Sequence, residues 1–123
     1  MKLHLDQPGT HNTITGHGPD HILVNGVAHA RSLIVLPDEV IPDWAEAFPV
    51  LTSMHFEAVL IRAPEIVLLG TGRRQRFPCP ALYRGLIAAR IGVEVMDTPA
   101  ACRTYNILAS EGRRVAAALL LGD

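Results

Sequence analysis

The sequence predicts one α/β domain over residues 1–123: a mixed β-sheet with helices packed on it, an N-terminal β-hairpin and a β-α-β-α-β C-terminal half. Three observations predict it. Short apolar runs, "EIVLL", "VEVM" and "VAAALLL", alternate with helical segments in the second half. Two extended runs flank Asn25 and Gly26, a dipeptide that supplies the positive φ of a tight hairpin turn. A length of 123 residues suits one domain and is too short for two.

The elements follow in order. "KLHL" is a short alternating strand and "NTITGHG" a weaker one. "HILVNGVAHARSLIVL" supplies both hairpin arms, the second ending at Pro37. Pro37, Pro42 and Pro49 break the next stretch and leave room for at most one short helix over 43–48. Thr52 or Ser53 caps a helix through about Ile61, and Pro64 stops it. "EIVLL" is a buried strand running into a turn at Gly70, Thr71 and Gly72. Residues 80–91 read as a helix with Leu82, Leu86 and Ala89 on one stripe and Gly92 as its stop. After the strand "VEVM", Asp97 caps a helix opened by Pro99, which runs to about Ser110 and closes at Gly112. "VAAALLL" is the last buried strand.

Composition narrows the function classes. Apolar residues make up 49% and charged residues 19%, a globular balance. A formal net charge of −1 argues against nucleic acid as the partner of the whole molecule. The charge is uneven, however. Residues 1–69 hold three basic and eight acidic residues, and residues 70–123 hold eight and four. Between 70 and 93 there are five arginines and no acid; such asymmetry either marks an interaction surface or lets the two halves neutralise each other on folding, and the second reading is the favoured one. Cys79 and Cys102 form no CxxC pair and no zinc spacing, which suits a reduced, cytoplasmic chain. The first residues lack the apolar core of a secretory signal, and "VAAALLL" is far short of the ~20 residues of a membrane helix, so no membrane insertion is expected.

A helix connecting strands 66–69 and 93–96 makes them parallel, so both end on one edge. There Gly70, Thr71, Gly72, Arg73, Arg74 and Arg76 would face Asp97 and Thr98, outside the carboxyl ends of the strands, where α/β sheets usually bind ligands. Free N–H groups at the helix start, with the arginines, would attract an acidic segment of a partner protein or a small anion. Gly70, Thr71 and Gly72 make only half a dinucleotide fingerprint, because Gln75 stands where the third glycine belongs. Neither a phosphate-binding GxxxxGK[ST] loop nor a GxSxG nucleophile elbow occurs. Asp97 reads as a cap rather than a base, so no catalytic residue and no cofactor is expected; the alternative to an interaction module is a binder of a small anionic ligand, or an unknown enzyme, using the crevice between the Gly70–Gly72 turn and Asp97 with Thr98. His17 and His21 are four apart, but "GHGPDH" denies them helical spacing and no metal is expected. On the helix after Pro99, Ala100, Ala101, Thr104, Ile107, Leu108 and Glu111 share one face. If that face meets the core, Glu111 needs a partner, and Arg113 would clamp it across the helix-to-strand turn.

The segments "VLLGTGRRQRFP" and "GVEVMDTPAACRTYNILASEGRRVAAALL", with the hairpin before them, resemble a known family. It is the small α/β family that includes the mitochondrial respiratory complex I (NADH dehydrogenase) assembly factor 3 and the adipogenesis-associated protein of the same domain type. Gly70, Gly72, Asp97, Thr98, Ala101, Thr104, Asn106, Glu111, Gly112 and Arg113 carry the resemblance, which covers essentially the whole chain. It implies one α/β domain and, among relatives with a role, help in assembling a membrane-bound complex through contacts with other proteins. It implies no established catalytic residue or cofactor. The family's polar positions map onto Asp97, Thr98, Asn106 and Glu111.

Overall fold

A computed structural model of the chain describes residues 11–122, and the strand expected in "KLHL" lies outside them. β1 (Ile14–Gly18) and β2 (His21–Val24) pair antiparallel, and β3 (Val27–His29) completes a three-stranded sheet. Asn25 and Gly26 make the predicted turn from β2 to β3, with φ of 53° and 82°. The second hairpin arm does not continue to Pro37. It ends at His29, and β4 (Leu33–Leu36) belongs to another sheet. Buried Ser32 lies at the break: its carbonyl accepts from the Trp44 N–H and its hydroxyl from the Ala45 N–H, both at 3.0 Å. These bonds draw the chain away from β2.

Where the prolines predicted loop or helix, β5 (Glu39–Pro42) pairs antiparallel with β4. Pro42 ends an edge strand, where its missing N–H leaves the ladder intact. Residues 43–47 are irregular, and a 3-10 turn follows at Phe48–Val50. Thr52 precedes α1 (Ser53–Leu60) as its N-cap, and its N–H donates to His55 Nδ1 at 3.0 Å.

β6 (Ile66–Thr71) is longer than predicted. Gly70 and Thr71 stay in the ladder, paired with Leu119 and Leu120, and the turn comes at Gly72, φ 101°. The helix expected over 80–91 is a 3-10 turn, Pro80–Tyr83, followed by a short α2 (Arg84–Ala88). Ala89 is exposed, so the predicted stripe keeps only Leu86 buried with Leu82 half-buried. Arg90 closes α2 at φ 63°, which frees Gly92 to begin β7 (Gly92–Met96). α3 (Thr98–Ser110) closes at Gly112, φ 82°, and leads into β8 (Val115–Leu120).

The second sheet has the order β5-β4-β8-β6-β7. β6 is parallel to both β7 and β8, whereas β4 is antiparallel to β5 and β8. Period-two alternation divides the core. Val67, Leu69, Ala116 and Ala118 meet Phe56 and Val59 of α1 and Leu86 of α2. Leu68, Val115, Ala117 and Leu119 meet Ala101 and Tyr105 of α3 and Ile14, Ile22 and Val24 of the small sheet. Cover on both faces explains why β6 and β8 read as unbroken apolar runs.

Candidate functional site

The parallel pairing of β6 with β7 brings the glycine turn and the start of α3 to one rim. Thr98, 5% exposed, joins them. Its N–H donates to the Gly72 carbonyl at 2.8 Å, and its hydroxyl accepts from the Gly72 N–H at 2.8 Å. The same hydroxyl donates to the Leu120 carbonyl at 2.6 Å. One side chain thus ties the ends of β6 and β8 to the first turn of α3. Gly70 permits the approach, because a Cβ there would lie 2.9 Å from Thr98 Oγ1 and 3.0 Å from Thr98 Cα. Its role is close packing rather than turning.

Thr71 shapes the basic turn from below. Its buried hydroxyl donates to the Arg74 carbonyl at 2.6 Å and accepts from the Arg76 N–H at 3.0 Å. The Arg73 N–H donates to the Gly122 carbonyl at 2.9 Å. Gln75 Nε2 donates to the Val95 carbonyl at 3.2 Å. Arg76 lies over the Phe48 ring, 5.4 Å from its centroid, while Arg73 and Arg74 are exposed.

The first turn of α3 differs from the expectation of free N–H groups. Asp97 is the cap, its carboxylate accepting from the Ala100 N–H at 2.8 Å. The Thr98 N–H is held by Gly72, Pro99 has none, and the Ala101 N–H donates to the Asp97 carbonyl. The donors that would receive an anion are already used within the chain.

A cavity of about 280 Å³ opens at the rim. Gly72, Arg73 and Thr98 line it, with Pro99, as do His17, Gly18 and Pro19 from the β1–β2 turn and the segment 120–122. Gly70 and Thr71 are buried. Arg74, Arg76 and Asp97 are absent from the lining. The contribution of residues 17–19 was not deduced from sequence, although the glycines and proline of "GHGPD" signal a turn. Across that turn His21 lies 3.4 Å from the Asp20 carboxylate. Among the described residues no three His, Cys, Asp or Glu side chains gather to hold a metal ion.

The expected clamp of Glu111 by Arg113 is corrected. α3 buries Ala101, Cys102, Tyr105 and Ala109, leaving Glu111 exposed at its C-terminal end. Arg113 Nε instead donates to Glu65 at 3.0 Å, and Arg114 pairs with Asp38 at 3.1 Å. The Arg113 hydrogen bond, with one from the Arg114 N–H, holds the Glu65 carboxyl below its usual range. The face is set by Tyr105, whose hydroxyl donates to the Asn12 carbonyl at 2.8 Å, and by Asn106, which bonds Ile14.

Comparison with known proteins fits this architecture. Over 100 residues the chain is 36% identical to NADH dehydrogenase (ubiquinone) 1 alpha subcomplex assembly factor 3 from Bos taurus, covering 80% of this chain and 54% of that one. The mouse factor of the same name is 35% identical over 71% of this chain and 48% of its own length. The chain therefore spans about half the length of these relatives. A crystal structure of a protein from Bordetella parapertussis is 42% identical, with a TM-score of 0.84 over 93% of this chain and 98% of that one. A solution structure of a Bordetella pertussis protein, described as a Mth938-like domain, is 36% identical, with a TM-score of 0.83 over 100% of this chain and 94% of that one. The model of the family described as protein of unknown function (DUF498/DUF598) matches residues 14–120, and the chain belongs to that family.

Proposed function

We propose that the chain is a non-catalytic protein-interaction module of assembly-factor type, which holds a partner at the rim formed by the 70–76 turn and the start of α3. The observation that carries the reading is the 36% identity, over 80% of this chain, to a protein named as a NADH dehydrogenase assembly factor. The geometry of the rim supports it. The turn is fixed from beneath by Thr71 and Thr98, so presenting Arg73 and Arg74 needs little further ordering on binding. Phe77, 80% exposed, adds an apolar contact next to them. An acidic segment of a partner protein suits this surface, and nucleic acid is the least favoured partner. The two free cysteines, Cys79 and Cys102, suit a cytoplasmic site of action.

The test is an affinity capture from the native cell, comparing the wild type with a variant carrying Arg73→Ser, Arg74→Ser and Arg76→Ser. A melting curve first establishes that the variant folds, because Arg76 also packs on Phe48. Partners held by the wild type and lost by the variant are expected. Capture of the same partners by both would remove the basic turn as the contact surface.

The cavity favours a second reading, in which a small ligand binds between Gly72, Thr98 and the segment 120–122. Because the helix-start donors are used internally, the cationic side chain that an anion in this cavity would meet is that of Arg73. Phosphate and small carboxylates titrated against isotope-labelled protein separate the readings. Saturable amide shifts at 72–73 and 98–100 favour the ligand; unmoved amides there refute it.

A further inference from the structure

The five-stranded sheet has β5 at one edge and β7 at the other. β5 ends in Pro42, which has no N–H to offer a further strand. β7 carries no proline and no basic residue, and its register with β6 runs from Gly92 to Met96 without a bulge. One hydrogen bond fixes which way its backbone groups point. The Gly92 N–H donates to the Glu65 carbonyl, on the β6 side, at 3.3 Å. No peptide bond is cis, and across a trans peptide the carbonyl points opposite to the N–H, so the Ile91 carbonyl faces outward. Alternation along the strand then turns the N–H and carbonyl groups of Val93 and Val95 outward as well.

Two groups of this segment are satisfied within the chain. Gln75 Nε2 donates to the Val95 carbonyl at 3.2 Å, and the Ile91 N–H donates to the Leu86 carbonyl at 2.9 Å. The N–H groups of Val93 and Val95 and the carbonyls of Ile91 and Val93 have no partner among the described residues. Two donors and two acceptors in this order complement themselves. If a second β7 runs antiparallel about a twofold axis at Val93, the two Val93 residues exchange both bonds, and each Val95 N–H meets the Ile91 carbonyl of the other copy. The groups that this register leaves over, the Val95 carbonyl and the Ile91 N–H, are the two already satisfied. Centring on Glu94 or Val95 calls on the occupied Val95 carbonyl, and centring on Gly92 calls on the occupied Ile91 N–H.

The side chains agree with that register. Val93 stands opposite Val93, and Val95 opposite Ile91; all three belong to the layer packed against α1 and α2, so this layer continues across the axis. On the other face exposed Glu94 stands opposite exposed Gly92, and its diagonal neighbour is Arg90. Glu94 and Arg90 form no ion pair among the described residues. A register centred on Glu94 would instead set two carboxylates face to face.

We infer that β7 pairs with β7 of a second copy of this chain, joining two five-stranded sheets across a twofold axis at Val93. The inference stands apart from the interaction-module reading, and the antiparallel pairing sends the two rims to opposite ends of the joined strands.

Sedimentation of the full chain from micromolar to millimolar concentration is expected to show a monomer–dimer equilibrium, with the Val93 and Val95 amides exchanging more slowly as the dimer forms. Val93→Pro removes an outward N–H and leaves the ladder to β6 intact, so a folded monomer is expected, its fold checked by a melting curve. Glu94→Arg should weaken the dimer by about tenfold, because two attractive pairs become two repulsive ones. Adding Arg90→Glu to that variant should restore it. Should Val93→Pro unfold, the charge exchange alone decides. A monomer at millimolar concentration overturns the proposal and leaves the edge to a strand of another protein. A dimer indifferent to Val93→Pro, or one that the charge exchange fails to restore, also overturns it. Slow exchange of both amides in the monomer would mean that another segment of the same chain covers the edge, and overturns it equally.

Discussion

The side-chain amide of Asn106 accepts from the Ile14 N–H at 2.9 Å and donates to the Ile14 carbonyl at 2.8 Å. It thereby supplies to β1 the two bonds a neighbouring strand would give, and fastens the small sheet to α3. Asn106→Ala leaves both Ile14 groups without these partners. A loss of about 1–3 kcal/mol in urea unfolding is expected, because unpaired groups at a part-buried site retain a desolvation cost. A variant within experimental error of wild type would show that water replaces the amide fully. The two cysteines make a second test at this scale. Burial pushes the Cys102 thiol up to about 12, while Cys79 is exposed. Iodoacetamide at neutral pH should label Cys79 alone in the native protein and both in urea, read by peptide mass. Native labelling of Cys102 at a comparable rate would contradict its burial.

Two elements end on unusual residues. Ala63, after α1, has φ 50°, and Arg90, after α2, has φ 63°; both are exposed. A left-handed non-glycine residue costs about 1–2 kcal/mol, part of which the greater freedom of glycine in the unfolded chain offsets. Ala63→Gly should therefore stabilise by about 0.5–1 kcal/mol, seen as a higher urea midpoint with an unchanged slope; a lower midpoint would refute the strain. Gly70→Ala should do the opposite, by about 1–3 kcal/mol, since the new methyl meets the Thr98 backbone at 3.0 Å. An unaltered melting temperature would show that α3 moves freely. These sites also show what sequence could reveal. β6, β7 and β8 were legible because apolar runs between turn residues admit few alternatives. β5 was hidden because Pro42 reads as a breaker until its place on a sheet edge is known. The buried face of α3 was misread because alanines occur on several of its sides, and the choice is made by distant partners, Asn12 and Ile14. The rim was legible in part: the meeting of Gly72 with Thr98 follows from parallel strands, whereas the engagement of every helix-start donor depends on carbonyl positions that no local pattern encodes.

Across the whole molecule the uneven charge of the sequence divides into two arrangements. At the end of the sheet away from the rim, Arg113 reaches Glu65 and Arg114 reaches Asp38, joining the basic half to the acidic half over separations of 48 and 76 residues. Arg62 adds a two-pronged bond to Glu39, at 3.2 and 3.0 Å. Along the rim and α2, Arg74 and Arg84 are exposed and form no ion pair among the described residues. The paired end makes stability depend on acidity. Hydrogen bonding to Arg62 lowers the Glu39 carboxyl, and hydrogen bonding to Arg113 lowers that of Glu65, from a usual 4.5. Between the unfolded and folded values the unfolded chain binds more protons, so acid favours unfolding there. The stabilisation is complete above 4.5 and is lost as pH falls through the lowered folded values. Urea midpoints measured from pH 7 to pH 3 should therefore decline more steeply below about 4.5 for the wild type than for a variant carrying Glu39→Gln and Glu65→Gln. The variant should begin lower at pH 7 and approach the wild type in acid, because protonation takes from the wild type what substitution has already removed. Parallel curves over the whole interval would mean that other carboxylates carry the acid sensitivity and that these pairs add nothing to the folded state.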